Sequence, residues 1–267
     1  MPPSDGQAKG TDSMESDISG GQASTANGLG SRYRPLTPWT APKALAATIA
    51  ILVVSGVAGV GAFKLIGRLA GLETAASDRP FEAIIWLGLS QLVMIALTFL
   101  AARRLGGKPA EVLAFGAPAG GARDYGLALV QMAALLAAFN ALAYFVFKAD
   151  LLADLKPFLD IIRHPGWLLA LLVIGIGAPL SEEFLFRGFL QSALARSRLG
   201  FWPGAGLSTG IWALLHFGYS WVGIVDVVLI GGLFSWLLWR TGSTRVTVFC
   251  HAVYNTALTL VMRFFLV

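Results

Sequence analysis

Residues 44–63 contain no charged side chain, and Thr48 and Ser55 are their only clearly polar ones. As an α-helix rising 1.5 Å per residue, a run of this length reaches about 30 Å, the thickness of a bilayer's hydrocarbon core. Two further runs have the same character. Residues 83–102 are stopped by Arg103 and Arg104, and residues 125–147 are stopped by Lys148. Charged residues make up only 13% of the 267, about half the usual share in a soluble domain, while 56% are apolar. A soluble fold of this size would have too few charged groups to cover its surface. The expected class is an all-α polytopic membrane helix bundle.

The remaining chain is organised around these spans. Residues 1–37 are rich in Ser, Gly, Asp and Thr and poor in large apolar side chains, which predicts a disordered tail. Acidic residues precede any apolar run there, so no cleaved secretory signal is expected. Residues 38–165 hold the three strong spans and their loops, with a short amphipathic helix over about 150–165 lying at the interface. His164 reads as a solvated residue of that connection. Residues 166–267 form a second unit: a long helix over 166–199 kinked by Pro179, then spans at about 202–217, 222–239 and 246–266. The total is about seven crossings, within a range of six to eight.

With alternating crossings, Arg32, Arg34, Lys43, Arg103, Arg104, Lys108, Arg123, Arg196, Arg198, Arg240 and Arg245 share one side. The positive-inside rule then puts the N-terminus in the cytoplasm. The formal charge of +5 contains no basic run of five, and the cations flank apolar spans, so a lipid bilayer and not a nucleic acid is the expected partner. A single cysteine, Cys250, excludes an intrachain disulfide and reads as a small helix- or lipid-facing residue. The chain shows no internal repeat, which leaves an inverted-repeat transporter without support.

Chemistry concentrates in the last hundred residues, whose only acidic side chains are Glu182, Glu183 and Asp226. Each charge at mid-membrane depth costs roughly 2.5–3.5 kcal/mol, so Glu182, Glu183 and Arg187 need compensation. Glu183 and Arg187, four apart, can pair along one helix face. Glu182 points about 100° away on a helix of 3.6 residues per turn, gains no such partner, and is the candidate general base. Trp212 and His216 are again four apart, so the indole lies beside the imidazole. His251 and Asn255 present two hydrogen-bond donors on one face, suited to an oxygen that acquires negative charge. Asp226 reads as structural, or as a partner to a histidine, and Gly231 with Gly232 as a place where helices approach closely. Glu182, His216 and His251 are also the candidate ligands of a divalent metal such as Zn, although no His-Glu-x-x-His signature is present. No Gly-x-Ser-x-Gly elbow occurs, and Ser181 and Ser208 read as packing residues.

Three motifs stand in order: Glu182-Glu183-Phe184-Leu185-Phe186-Arg187, Trp212 to His216, and His251 to Asn255. With the flanks Ala178-Pro179-Leu180 and Thr241-Gly242-Ser243, residues 166–260 resemble the CAAX protease and bacteriocin-processing (CPBP, or Abi) family of intramembrane endopeptidases. That family is related to type II CAAX prenyl endopeptidases. Trp212 is the one departure, because the family more often has Phe there. The resemblance implies a bacterial inner-membrane endopeptidase acting on a membrane-associated peptide or protein, in CAAX-like processing, peptide maturation or bacteriocin self-immunity. It implies that Glu182 and His216 activate water, Glu183 and Arg187 hold the helix, and His251 and Asn255 form the oxyanion hole. A non-catalytic membrane scaffold, or a proton-coupled transporter using the same intramembrane Glu and His, are the alternatives.

Overall fold

The computed structural model describes residues 31–71 and 79–267, and the described residues contain helices and no strand. The elements are α1 (Ala41–Ala70), α2 (Arg79–Arg104), the single turn α3 (Pro109–Val112), α4 (Ala122–Phe145), α5 (Lys156–Arg163), α6 (Trp167–Arg196), α7 (Phe201–Ala213), α8 (Trp221–Thr241) and α9 (Thr244–Leu266). Among the described residues six of these, α1, α2, α4, α6, α8 and α9, are long and apolar enough to cross a membrane. The protein is an integral, multi-pass, all-α bundle. Its periphery is apolar, with Val53, Val57, Leu69, Leu92, Val130 and Phe265 exposed, the reverse of a soluble surface and the outcome expected when lipid is the solvent.

The seventh crossing expected at 202–217 corresponds to α7, whose 13 residues rise only about 20 Å. With the 3₁₀ turn Leu214–His216 it still runs from one end of the bundle to the other. At the first end, the Arg32 N–H donates to the Trp239 carbonyl (3.0 Å), Arg32 pairs with Asp124 (3.7 Å), and Arg245 Nε donates to the Phe115 carbonyl (2.8 Å). Arg196, five residues before the start of α7, donates to the Thr37 carbonyl at that same end. At the opposite end, Asp154 accepts from the Ser220 N–H and Oγ, both at 2.7 Å. The amphipathic pattern before residue 165 forms α5, with Ile161 and Ile162 buried.

The polar tail divides. Residues 1–30 lie outside the described residues, but residues 31–37, expected to be disordered, are packed on the bundle. Tyr33 and Thr37 are buried, as is Trp39 just beyond them, and Thr37 Oγ1 donates to Ser192 Oγ at 2.7 Å. The two aromatic side chains supply apolar area that the preceding polar residues lack.

Helices α6 and α8 occupy the centre, with 44% of their apolar windows buried against 17% for α1 and α4. Leu185, Phe186, Phe189 and Leu190 of α6 pack with Phe234 and Leu237 of α8 and with Val246 and Cys250 of α9. Cys250 faces a helix, its Sγ donating to the Ala128 carbonyl at 3.6 Å. The connection from α8 to α9 is two residues long because Gly242 takes φ +72°, the left-handed conformation that ends a helix at low steric cost. Ser243 then caps α9 by accepting from the Arg245 N–H.

Candidate active site

Helix α6 is not a regular α-helix. It widens to π-type turns over Val173–Gly177 and again over Glu183–Leu190. Such turns are uncommon and concentrate at functional sites, because they re-aim side chains and free backbone groups. Pro179, buried, follows the first of them, and this wide turn is where the expected distortion of the helix is located.

The wide turn has a specific consequence. The Ala178 N–H reaches back to Val173 and leaves Ile174 unserved. The next residue able to serve Ile174 is Pro179, which has no N–H. Asn255 of α9 fills that gap, its Nδ2 donating to the Ile174 carbonyl at 3.0 Å. Gln91 of α2, also buried, faces the same turn. With its nitrogen toward Val173, it donates to that carbonyl (3.2 Å) and accepts from Ala178 N–H (3.3 Å).

The two adjacent glutamates diverge as helical geometry requires. Glu183 and Arg187 are both fully buried and pair at 3.3 Å. The same Glu183 Oε1 accepts from His251 Nδ1 at 3.1 Å. The Arg187 Nη2 also donates to the Gly231 carbonyl (3.4 Å), an approach that depends on glycine: a Cβ at position 231 would lie 3.0 Å from that nitrogen and 2.6 Å from Thr209. Gly232 has open space around it, so close approach belongs to Gly231 alone.

Glu182 is half-buried and forms no ion pair among the described contacts, but it has a neutral hydrogen-bond donor. The Trp212 Nε1 donates to Glu182 Oε2 at 2.6 Å. A pairing across 30 residues cannot be read from spacing on one helix. The Trp212 ring is also near His216 (centroids 5.1 Å) and His251 (5.8 Å). It is the Trp212 backbone that orients His216, whose Nδ1 lies 3.3 Å from its carbonyl. Donation from Nδ1 to that carbonyl leaves the other ring nitrogen, Nε2, with its lone pair free.

Glu182, His216, His251 and Asn255 line one cavity of about 340 Å³, and Glu183 with Arg187 sits behind its wall. Among the described residues the lining includes no lysine or arginine. The side-chain donors the lining offers an oxyanion are imidazole, amide, phenol, indole and hydroxyl groups. Several lining residues were not assigned to a site from the sequence, Tyr219, Tyr254 and Asp154 among them. Tyr219 follows the His216 turn, with its ring 5.2 Å from that imidazole. Burial, and next the carboxylates of Glu182 and Asp154, push its phenol up to about 12, so it is a donor at any working pH. Tyr254 donates to Asp226 Oδ2 at 3.3 Å, which makes a tyrosine, not a histidine, the partner of Asp226. Asp154 reaches the cavity from the loop before α5. His164 lies elsewhere, stacked on Phe81 and accepting from the Gly166 N–H. Ser181 and Ser208 donate to the carbonyls of Ala178 and Phe186, as packing residues do.

The metal candidates can be tested on geometry. Among the described residues no three His, Cys, Asp or Glu side chains are grouped to hold an ion, and His251 Nδ1 is committed to Glu183.

Fold and site define a polytopic all-α membrane protein in which carboxylate, imidazole and amide groups from separate helices meet at one internal cavity. Residues 164–257 match the family model for type II CAAX prenyl endopeptidase Rce1-like proteins, and this Rce1-like stretch contains all three motifs. A curated relative, the UPF0177 protein YxdF of Lactococcus lactis subsp. lactis (strain IL1403), is 26% identical over 83 residues. The alignment covers 31% of this chain and 44% of that protein, less than half of the relative's length. No solved structure matches.

Proposed function

We propose that this protein is an intramembrane endopeptidase that hydrolyses a peptide bond of a membrane-associated peptide or protein. The observation that carries the reading is the convergence of Glu182, His216, His251 and Asn255 on one cavity within an Rce1-like stretch. Water held between Glu182 and the free Nε2 of His216 gives up a proton to one of these bases as its oxygen attacks the scissile carbonyl. The carbonyl electron pair moves onto oxygen, which accepts from His251 Nε2 and from the second N–H of Asn255. Because Nδ1 of His251 already donates to Glu183, its Nε2 carries a proton only as imidazolium, and Glu183 is the counter-ion for that form. Collapse of the tetrahedral intermediate breaks the C–N bond, and the proton taken from water passes to the leaving amine.

The chain is read as a bacterial inner-membrane protein with a cytoplasmic N-terminus, since Arg32, Arg196 and Arg245 lie at one end of the bundle. The test is cleavage of a quenched fluorescent peptide by the purified protein in proteoliposomes. Glu182→Ala is expected to abolish turnover, and undiminished turnover by that variant overturns the assignment.

A further inference from the structure

We infer that Trp212 is a positioning residue for Glu182, acting through its indole N–H; the inference rests on the endopeptidase reading above. Trp212 is 2% exposed, and its Nε1 donates to Glu182 Oε2 at 2.6 Å. Indole nitrogen is a donor only, so this contact has one polarity: it fixes one oxygen of Glu182 and leaves the other free to accept from water.

The Arg187 guanidinium carbon lies 4.4 Å from the Trp212 ring centroid, a cation–π contact in a site from which solvent is excluded. A cation over the ring draws electron density toward itself and makes the N–H a stronger donor. Trp212 therefore joins the two glutamates of the first motif: Arg187, held by Glu183, sits against the ring, and the ring's N–H holds Glu182. The indole is itself confined by Gly231, where a Cβ would stand 3.1 Å from Trp212 Cε3, and by the Phe234 ring. A phenylalanine at position 212 would keep the packing and the cation–π face but supply no donor to Glu182. The departure from phenylalanine changes how the candidate base is held, not only how the helix packs.

The experiment replaces Trp212 in the full-length protein with benzothienylalanine, which has the shape of tryptophan with sulfur in place of the N–H, and with phenylalanine. Turnover of the fluorescent peptide is measured in proteoliposomes beside wild type and Glu182→Gln. The benzothienyl variant is expected to keep its melting temperature and KM within twofold while kcat falls at least tenfold. Its infrared carboxylate band, assigned by the difference between wild type and Glu182→Gln, is expected to shift. Trp212→Phe is expected to lose kcat to a similar extent. Full kcat in the benzothienyl variant, with Glu182→Gln inactive, overturns the positioning role and leaves the endopeptidase reading standing. Full activity of Glu182→Gln overturns both.

Discussion

The amide nitrogen of Asn255 lies 3.0 Å from the carbonyl oxygen of Ile174, and that carbonyl has no donor within its own helix. The contact ties the last motif of the chain to the wide turn that precedes Glu182. Asn255 thus has a structural task alongside any part it takes in stabilising an oxyanion.

Asn255→Ala is expected to lower stability by about 1 kcal/mol, the loss of one part-buried hydrogen bond whose acceptor borders the cavity. Pro179→Ala returns an N–H five residues after Ile174, where a wide turn can use it. In the Asn255→Ala background, Pro179→Ala is expected to recover part of the lost stability in detergent melting experiments. Additive losses in the double variant would show that Ile174 is not the shared point.

Glu183 and Arg187 form an ion pair with no exposed surface. Arg187→Leu leaves the Glu183 carboxylate with only His251 as a charged partner and is expected to destabilise the protein by about 3–5 kcal/mol. Replacing both by leucine is expected to be milder, because two charges then leave the membrane interior together. Thermal melting of the single and double variants checks this order, and a double variant less stable than Arg187→Leu would contradict it.

Tyr219 titrates at about 12 in the folded protein, raised first by burial, against 10.0 for the free side chain, and burial also raises Tyr33. Below pH 10 the folded and unfolded states are both neutral at Tyr219, so its contribution is fully present. Between about 10 and 12 the unfolded state loses the proton first, and stability falls with rising pH by up to about 1.4 kcal/mol per pH unit for one such group. Tyr219→Phe is expected to flatten the decline of melting temperature over that range. An unchanged slope would show that the phenol ionises freely in the fold.

Much of the bundle follows from single segments. Uninterrupted apolar stretches and the charges that stop them locate α1, α2 and α4, because a bilayer requires each crossing helix to satisfy its own backbone and face lipid. The Glu183–Arg187 pair follows equally from a four-residue spacing. The packed segment 31–37 did not follow, since Tyr33 and Trp39 are isolated aromatic residues beside a polar stretch and acquire a burial site only when α6 and α8 are in place.

The amino-acid order alone singles out the candidate site residues, because charged and hydrogen-bonding groups are scarce in apolar helices and stand out where they occur. It cannot establish which of them meet. Trp212 with Glu182, His251 with Glu183 and Asn255 with Ile174 are separated by 30, 68 and 81 positions, respectively. Those partnerships arise from the rotation and depth of one helix against another, set by side-chain packing and by the two wide turns of α6, and periodicity within a single helix contains no information about either.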